Sequence, residues 1–251
     1  MLSPKSVLIT GSSQGIGLEF VRAFLKLTTP PKHIFASCIN RASAEDLDEI
    51  AKTNPAVKVI ELDVENQDSI EKAKEVVQST VQDEGLNLLV NNAGILKRMG
   101  FHDVTREDMR KHYEVNCIGP LMMAKTFHPL LKQAASRSPS DPMSCNKAAI
   151  INVGSGQGSI SENASSGMYP YRASKCALNM MMTCWSIDMK ADGILCASIA
   201  PGWVRTSMGG PNAAVSTEES LKAMFETMEK LGDADTGKFL HATRGGTVVP
   251  W

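Results

Sequence analysis

Apolar residues gather in six short runs along the chain: SVLIT (6–10), HIFASC (33–38), VKVIEL (57–62), NLLVNN (87–92), AAIINV (148–153) and LCASIA (195–200). The runs are continuous rather than alternating, as in strands covered on both faces. Between them, GLEFVRAFLKL (17–27), SIEKAKEVVQSTVQDEG (69–85) and the long stretch 105–135 place apolar residues three or four positions apart, which predicts helices. Two further helices are expected over 171–190 and 218–231. No internal repeat interrupts this alternation, and the Ser/Pro-rich AASRSPSDPMSCNKA (134–148) reads as a surface loop rather than a linker.

Strand and helix alternating on this scale predict an α/β fold, a Rossmann-type doubly wound parallel sheet with helices on both faces. The 251 residues suit one domain spanning 1–251. Such sheets bind ligands beyond the carboxyl ends of their strands, near the point where strand order reverses. The loops that follow the apolar runs are therefore where chemistry is sought.

The first of these loops is TGSSQGIG (10–17). Gly11 permits a tight turn, Gly15 lets a pyrophosphate approach the backbone, and Gly17 allows close helix packing. The helix that opens here presents free N–H groups to phosphate. After a first strand and at the start of a helix, this spacing predicts a nucleotide site.

The G-x-x-x-G-x-G spacing resembles the short-chain dehydrogenase/reductase family. The resemblance continues through LDV (62–64), NNAG (91–94), Asn116, NVGSGQG (152–158), Tyr171-x-x-x-Lys175 and PGWVRT (201–206). More narrowly, TTPPKHIF, GMYPYRASK, PGWVRTSMGG and the terminal PW resemble the sniffer-type carbonyl reductases. The family pattern implies cofactor contacts from Gly11, Ser13, Gln14, Gly15, Ile16 and Gly17, and an adenine clamp from Asp63 and Val64. It also implies a ribose-side turn of Asn92, Ala93 and Gly94, a nicotinamide segment of Pro201, Gly202, Val204 and Thr206, and cofactor contacts from Tyr171 and Lys175, the lysine to the nicotinamide ribose. The second strand ends in ASCINRAS with no acid before Glu45. That absence favours NADP(H) over NAD(H), because a carboxylate there would repel a 2′-phosphate. Arg41 is the basic candidate for that phosphate, or else a helix-start charge, with Ser12, Ser13 and Asn40 as further donors.

Reducing a carbonyl requires a proton for the developing alkoxide as well as a hydride. Tyr171 is the candidate donor. A phenol ordinarily titrates at about 10, so a nearby cation is expected to stabilise the phenolate, and Lys175 lies on the same helical face. Tyr169 precedes Pro170 and is expected outside the helix, packed at its entrance or in the pocket wall. Ser155 is expected to hydrogen-bond the carbonyl oxygen. It follows Gly154, where many relatives carry a second serine. The family likeness gives Asn116 a water-mediated proton relay from Lys175, with a buried polar kink as the alternative.

Composition narrows the partners. A formal net charge of −1, 21% charged and 43% hydrophobic residues give no whole-chain reason to seek nucleic acid or membrane. Six scattered cysteines form no CxxC or Cys/His cluster, which predicts a reduced cytoplasmic protein without a metal site. The opening MLSPKSVLIT has too short an apolar run for a secretory signal. The expectation is NADPH-dependent reduction of a small aldehyde, ketone or quinone. An alcohol or hydroxysteroid dehydrogenase and a non-catalytic NADP(H)-binding sensor or scaffold are the alternatives. Loops at 95–100, 156–169 and 207–220 are expected to choose the substrate. The apolar CALNMMMTCW (176–185) could face a second copy or its own sheet.

Overall fold

A computed structural model describes every residue, Met1–Trp251. Its centre is one eight-stranded sheet in the order β3-β2-β1-β4-β5-β6-β7-β8. The strands are β1 (Ser6–Ile9), β2 (His33–Cys38), β3 (Val57–Glu61), β4 (Leu88–Asn91), β5 (Ala149–Val153), β6 (Leu195–Ala200), β7 (Lys238–His241) and β8 (Thr247–Val248). All neighbours are parallel except β7 and β8. The six apolar runs all form strands, and their register is set by burial on both faces: β1, β4, β5 and β6 contain no exposed residue.

Helices cover both sides. Those of known range are α1 (Gly15–Leu25), α2 (Glu45–Thr53), α3 (Gln67–Val81), α4 (Arg106–Tyr113), α5 (Gly119–Ser136), α6 (Tyr169–Asp188) and α7 (Thr217–Lys230). One core layer packs α1, α2 and α7 on the sheet, through Phe20, Phe24, Leu47 and Met224. The other packs α3, α5 and α6, through Val77, Phe127 and Met182. Strand order reverses between β1 and β4, so the turns after these two strands face each other across the crevice.

Three elements differ from the sequence expectation. The helix expected over 105–135 is broken by a π turn at Glu114–Ile118. Pro120 cannot supply the N–H that an α-helix would direct at the Asn116 carbonyl, and Gly119 lies so close to Val64 that a Cβ would sit 2.9 Å from its Cβ. Tyr169 is also placed differently: it is the first residue of α6, not outside it. The preceding Met168 takes the left-handed conformation (φ 50°) and absorbs the turn, so Tyr169 and Pro170 occupy the first turn, where a missing N–H is harmless. Finally β7 and β8 form from KFLH and TV, too short and too glycine-flanked to register as apolar runs.

Candidate active site

A cavity of roughly 1060 Å³ opens at the carboxyl ends of β1, β2, β4, β5 and β6. Eighteen sequence-predicted residues line it: Gly11, Ser13, Gln14, Gly15, Ile16, Gly17, Asp63, Val64, Asn92, Ala93, Gly94, Ser155, Tyr171, Lys175, Pro201, Gly202, Val204 and Thr206. Asn40 lines it as well. Three others do not: Arg41 and Asn116, for reasons given below, and Ser12, which is fully buried and donates its hydroxyl to the Ile9 carbonyl at 2.9 Å.

The glycine loop is shaped by contacts that leave no room for side chains. A Cβ on Gly17 would lie 2.1 Å from the Gly11 carbonyl oxygen and 2.6 Å from the Asn92 amide nitrogen. Gly11 and Gly15 hold φ of 65° and 56°, in the left-handed region. Gln14, at the cap of α1, makes no side-chain cap bond, and the first turn carries no acid. Its N–H groups are therefore available to an anion, in the manner of dinucleotide pyrophosphate sites. Thr10, unremarked in the sequence, ties this loop to the β4 turn: its hydroxyl accepts from the N–H groups of Asn92 and Ala93, both at 2.9 Å. Asn92 returns two bonds from its amide nitrogen to the Thr10 and Gly11 carbonyls, at 2.8 and 2.9 Å.

At the other end, β5 and α6 bring Ser155, Tyr171 and Lys175 together. Ser155 follows β5 and caps a one-turn 3-10 helix, its hydroxyl accepting from the Gln157 N–H at 3.2 Å. Gly154 before it is explained by packing, since a Cβ there would meet the Phe239 ring at 3.1 Å. The catalytic-end loop lies flat on α6, because Gly158 approaches the Lys175 backbone too closely for a Cβ. Burial raises the Tyr171 phenol above its ordinary value, opposed by the Ser155 hydroxyl and the Arg98 charge. The phenol is thus held protonated at neutral pH, in the form a proton donor needs.

Lys175 lies on the same face of α6 as Tyr171, its ammonium 5.9 Å from the centre of the Tyr171 ring. The ammonium itself donates to the Val153 carbonyl at 2.8 Å. Burial depresses Lys175 from 10.5 to about 8, with the Cys117 thiol acting weakly the other way.

Asn116 sits in the π turn, fully buried, and spends its amide on the Ile95 backbone and the Ser174 hydroxyl. Its oxygen accepts from the Ile95 N–H at 2.8 Å, and its nitrogen donates to the Ile95 carbonyl and the Ser174 hydroxyl, each at 3.0 Å. It therefore fastens the β4 turn to α6. Ser174, absent from the sequence expectations, completes that link by donating to the Tyr171 carbonyl at 2.9 Å. Arg41 is turned away from the cavity. Its guanidinium pairs with Asp48 on α2 at 2.9 Å, leaving Cys38, Ile39, Asn40 and Ser43 to line the ribose end. Tyr169 is absent from the lining and packs edge-on against Phe101, ring centres 6.0 Å apart.

The comparisons with known proteins agree with this geometry. The family model described as short chain dehydrogenase matches residues 5–217. The chain belongs to the short-chain dehydrogenase/reductase family. It is an oxidoreductase of that family, with the nicotinamide cofactor as its redox partner. The carbonyl reductase Sniffer of D. melanogaster is similar, with a TM-score of 0.96 and 39% identity over 99% of this chain and 100% of that one. NADPH-bound carbonyl reductase from chicken fatty liver has the same TM-score and identity, covering 100% of this chain and 96% of that one. The Myxococcus xanthus protein named C-signal is 34% identical over 167 residues, covering 66% of this chain and 93% of the relative. No helix is long and apolar enough to cross a membrane.

The sequence missed several residues of the cavity. Arg172 lies in α6 beside the Tyr-Lys pair, while His241 ends the unexpected β7 and Arg244 follows it. Arg98 falls in a loop read only as substrate-facing. Only the position of β7, beside β6 at the sheet's edge, would have pointed to His241 and Arg244.

Proposed function

We propose that the protein reduces a small carbonyl compound to an alcohol with NADPH. The observation that carries this reading is that Ser155, Tyr171 and Lys175 share one wall of a cavity whose other end is the uncapped glycine loop. The residues fit a dinucleotide. The Gly11, Gly15 and Gly17 cradle admits backbone close to the phosphates, the α1 N-terminus meets their charge, and Asn92, Ala93 and Gly94 follow along the ribose. When bound, NADPH supplies the hydride. Tyr171 donates the proton to the carbonyl oxygen, Ser155 donates a hydrogen bond to that same oxygen, and Lys175 stabilises the phenolate left behind.

The preference for NADP(H) rests on what the ribose end lacks. No carboxylate lines it beside Cys38, Ile39, Asn40 and Ser43, and the nearby Glu61 and Asp48 are engaged by the Arg41 N–H and guanidinium, at 3.3 and 2.9 Å. Neutral donors such as Ser13 and Ser43 are left to receive the phosphate, since Arg41 is held by Asp48. Six free thiols, four of them buried, fit a reducing compartment such as the cytoplasm. Met180 and Ile187, 63% and 71% exposed on the outer face of α6, support a homodimer through that helix.

The test is a panel of aldehydes, ketones, quinones and secondary alcohols, followed by nicotinamide absorbance with both cofactors. NADPH consumption by carbonyl compounds supports the reading. Turnover confined to alcohol oxidation would favour a dehydrogenase instead, and no turnover with any compound would favour a cofactor-binding protein without catalysis.

A further inference from the structure

The substrate end of the cavity carries more positive than negative charge. Arg98, Arg172 and Arg244 line it against a single carboxylate, Glu162. That carboxylate is already matched: both its oxygens accept from one nitrogen of Arg244, at 2.8 and 3.0 Å. His241 adds no charge, because burial and the nearby Arg244 lower it below the ordinary histidine range. The remaining acids of the cavity, Asp63 and Glu65, belong to the adenine side, where Glu65 pairs with Lys111 at 2.6 Å.

Two guanidinium groups are thus left without a carboxylate. Arg172 donates only to neutral oxygens, the Gly167 carbonyl at 3.0 Å and the Asn163 and Ser165 side chains at 2.8 Å each. It holds the loop before α6 and keeps its charge. Arg98 is freer still. Its one side-chain bond runs from Nη1 to the Met168 sulfur at 3.7 Å, and no acid lies within ion-pair distance. The neighbouring Lys97 shows the ordinary alternative, paired with Asp108 at 2.8 Å.

The position of Arg98 is built rather than adventitious. The buried His112 ring accepts from the Lys97 N–H at 3.1 Å and faces the Asp108 carbonyl with its other nitrogen at 2.8 Å, which fixes the segment leading into Arg98. The Met168 N–H donates to the Met99 carbonyl at 3.0 Å, which ties the same segment to the start of α6. The Arg98 charge is close enough to act on the Tyr171 phenol. Arg98 bonds Met168, three residues before Tyr171, and lines the same cavity as Tyr171, away from the α1 N-terminus.

We infer that the preferred carbonyl substrate is anionic, with a carboxylate a few atoms from its carbonyl carbon seated on Arg98 and Arg172 behind it. A planar guanidinium fork matches a carboxylate in two parallel bonds, which fixes the carbonyl relative to Tyr171 as well as adding attraction. Uncompensated positive charge over an otherwise largely apolar cleft also draws anions to its mouth, an effect that weakens with salt. The inference rests on the carbonyl-reduction reading and names its substrate class.

The experiment compares 4-carboxybenzaldehyde with its methyl ester, in the full-length enzyme and in Arg98→Gln, at low and at physiological ionic strength. The enzyme should reduce the acid with the higher kcat/KM, and more so at low salt. Arg98→Gln should remove about fivefold of that preference, mainly through KM, the size expected of a partly exposed ion pair. Arg98 is exposed and holds no structural partner beyond the Met168 sulfur, so the variant should fold. Reduction of the ester with no preference for the acid would overturn the inference and leave carbonyl reduction standing. Equal losses on both substrates would place Arg98 with Tyr171 alone and also overturn it. A loss appearing only in the KM for NADPH would assign Arg98 to the cofactor, again against the inference. Failure to reduce either aldehyde, in an enzyme that reduces other carbonyl compounds of the panel, would also overturn the inference and leave carbonyl reduction standing.

Discussion

At the nicotinamide end of the cavity, Ser155, Tyr171 and Lys175 are held by a strand end and a long helix, two of them buried and each fixed by packing or a backbone hydrogen bond. At the ribose end, Ile39, Asn40 and Ser43 lie on a short exposed turn after β2, and the cation of that turn, Arg41, is bound to Asp48. The first end offers specific side chains in fixed places, and the second offers backbone, small hydroxyls and the lack of a carboxylate. Proton chemistry needs a positioned group with a shifted pKa, whereas the proposed preference for NADP(H) rests on what the ribose end lacks.

The sharpest way to break the contrast is at the floor that both ends share. Gly17→Val should abolish detectable NADPH binding in a fluorescence titration, because any Cβ there would collide with the Gly11 carbonyl and the Asn92 amide. Unaltered affinity would mean that the loop does not carry the phosphates.

Lys175→Met probes the catalytic end. Turnover should fall by about 10²-fold, the scale of losing one group that supports proton transfer. Stability should move the other way. Burial lowers the folded-state pKa from 10.5 to about 8, which disfavours the charged form by about 3 kcal/mol. Allowing about 1 kcal/mol for the lost bond to Val153, the variant should be more stable at pH 7 by about 1–2 kcal/mol in thermal or urea unfolding. The sign continues with pH. Between about 8 and 10.5 the unfolded chain binds a proton that the folded chain does not, so the native protein should gain stability as pH rises through that window and close the gap. A variant less stable than the native enzyme at pH 7 would show that the lysine charge is not buried.

Asn116→Ala should cost about 2–3 kcal/mol of stability, since it leaves the Ile95 N–H and carbonyl without their partners. A loss well under 1 kcal/mol would place those groups in contact with water. The smallest effect is expected at the ribose end: Arg41→Ala should change the NADPH-to-NADH ratio of kcat/KM by less than about twofold, because its exposed pair with Asp48 does not reach the cavity. A large fall in that ratio would return Arg41 to the phosphate.

The same contrast governs what the sequence could disclose. Continuous apolar runs predicted β1 to β6, and the i, i+4 relation of Tyr171 and Lys175 follows from helix periodicity. The break at 114–118 was hidden because a π turn keeps the apolar spacing of a helix while widening it by one residue, with only Pro120 as a local trace. β7 escaped notice because four residues, only Phe239 and Leu240 of them buried, need β6 and β8 as tertiary neighbours to become a strand. Arg41 could not be placed from the chain alone, since its partner Asp48 lies on α2, whose acidic character left one fully buried apolar residue, Leu47, to mark it as a helix. The Lys175 ammonium on Val153, and Thr10 on the β4 turn, are bonds between strands and helices far apart in sequence. Periodicity along a single chain carries no trace of them.

The central claim is that Tyr171 is the proton donor of a carbonyl reductase, and Tyr171→Phe tests it with two readings on one variant. Carbonyl turnover under saturating NADPH should fall by about 10³-fold, while NADPH affinity from fluorescence titration should stay within about twofold. Near-native turnover with affinity retained would contradict the claim, and would move the proton to another group of the cavity.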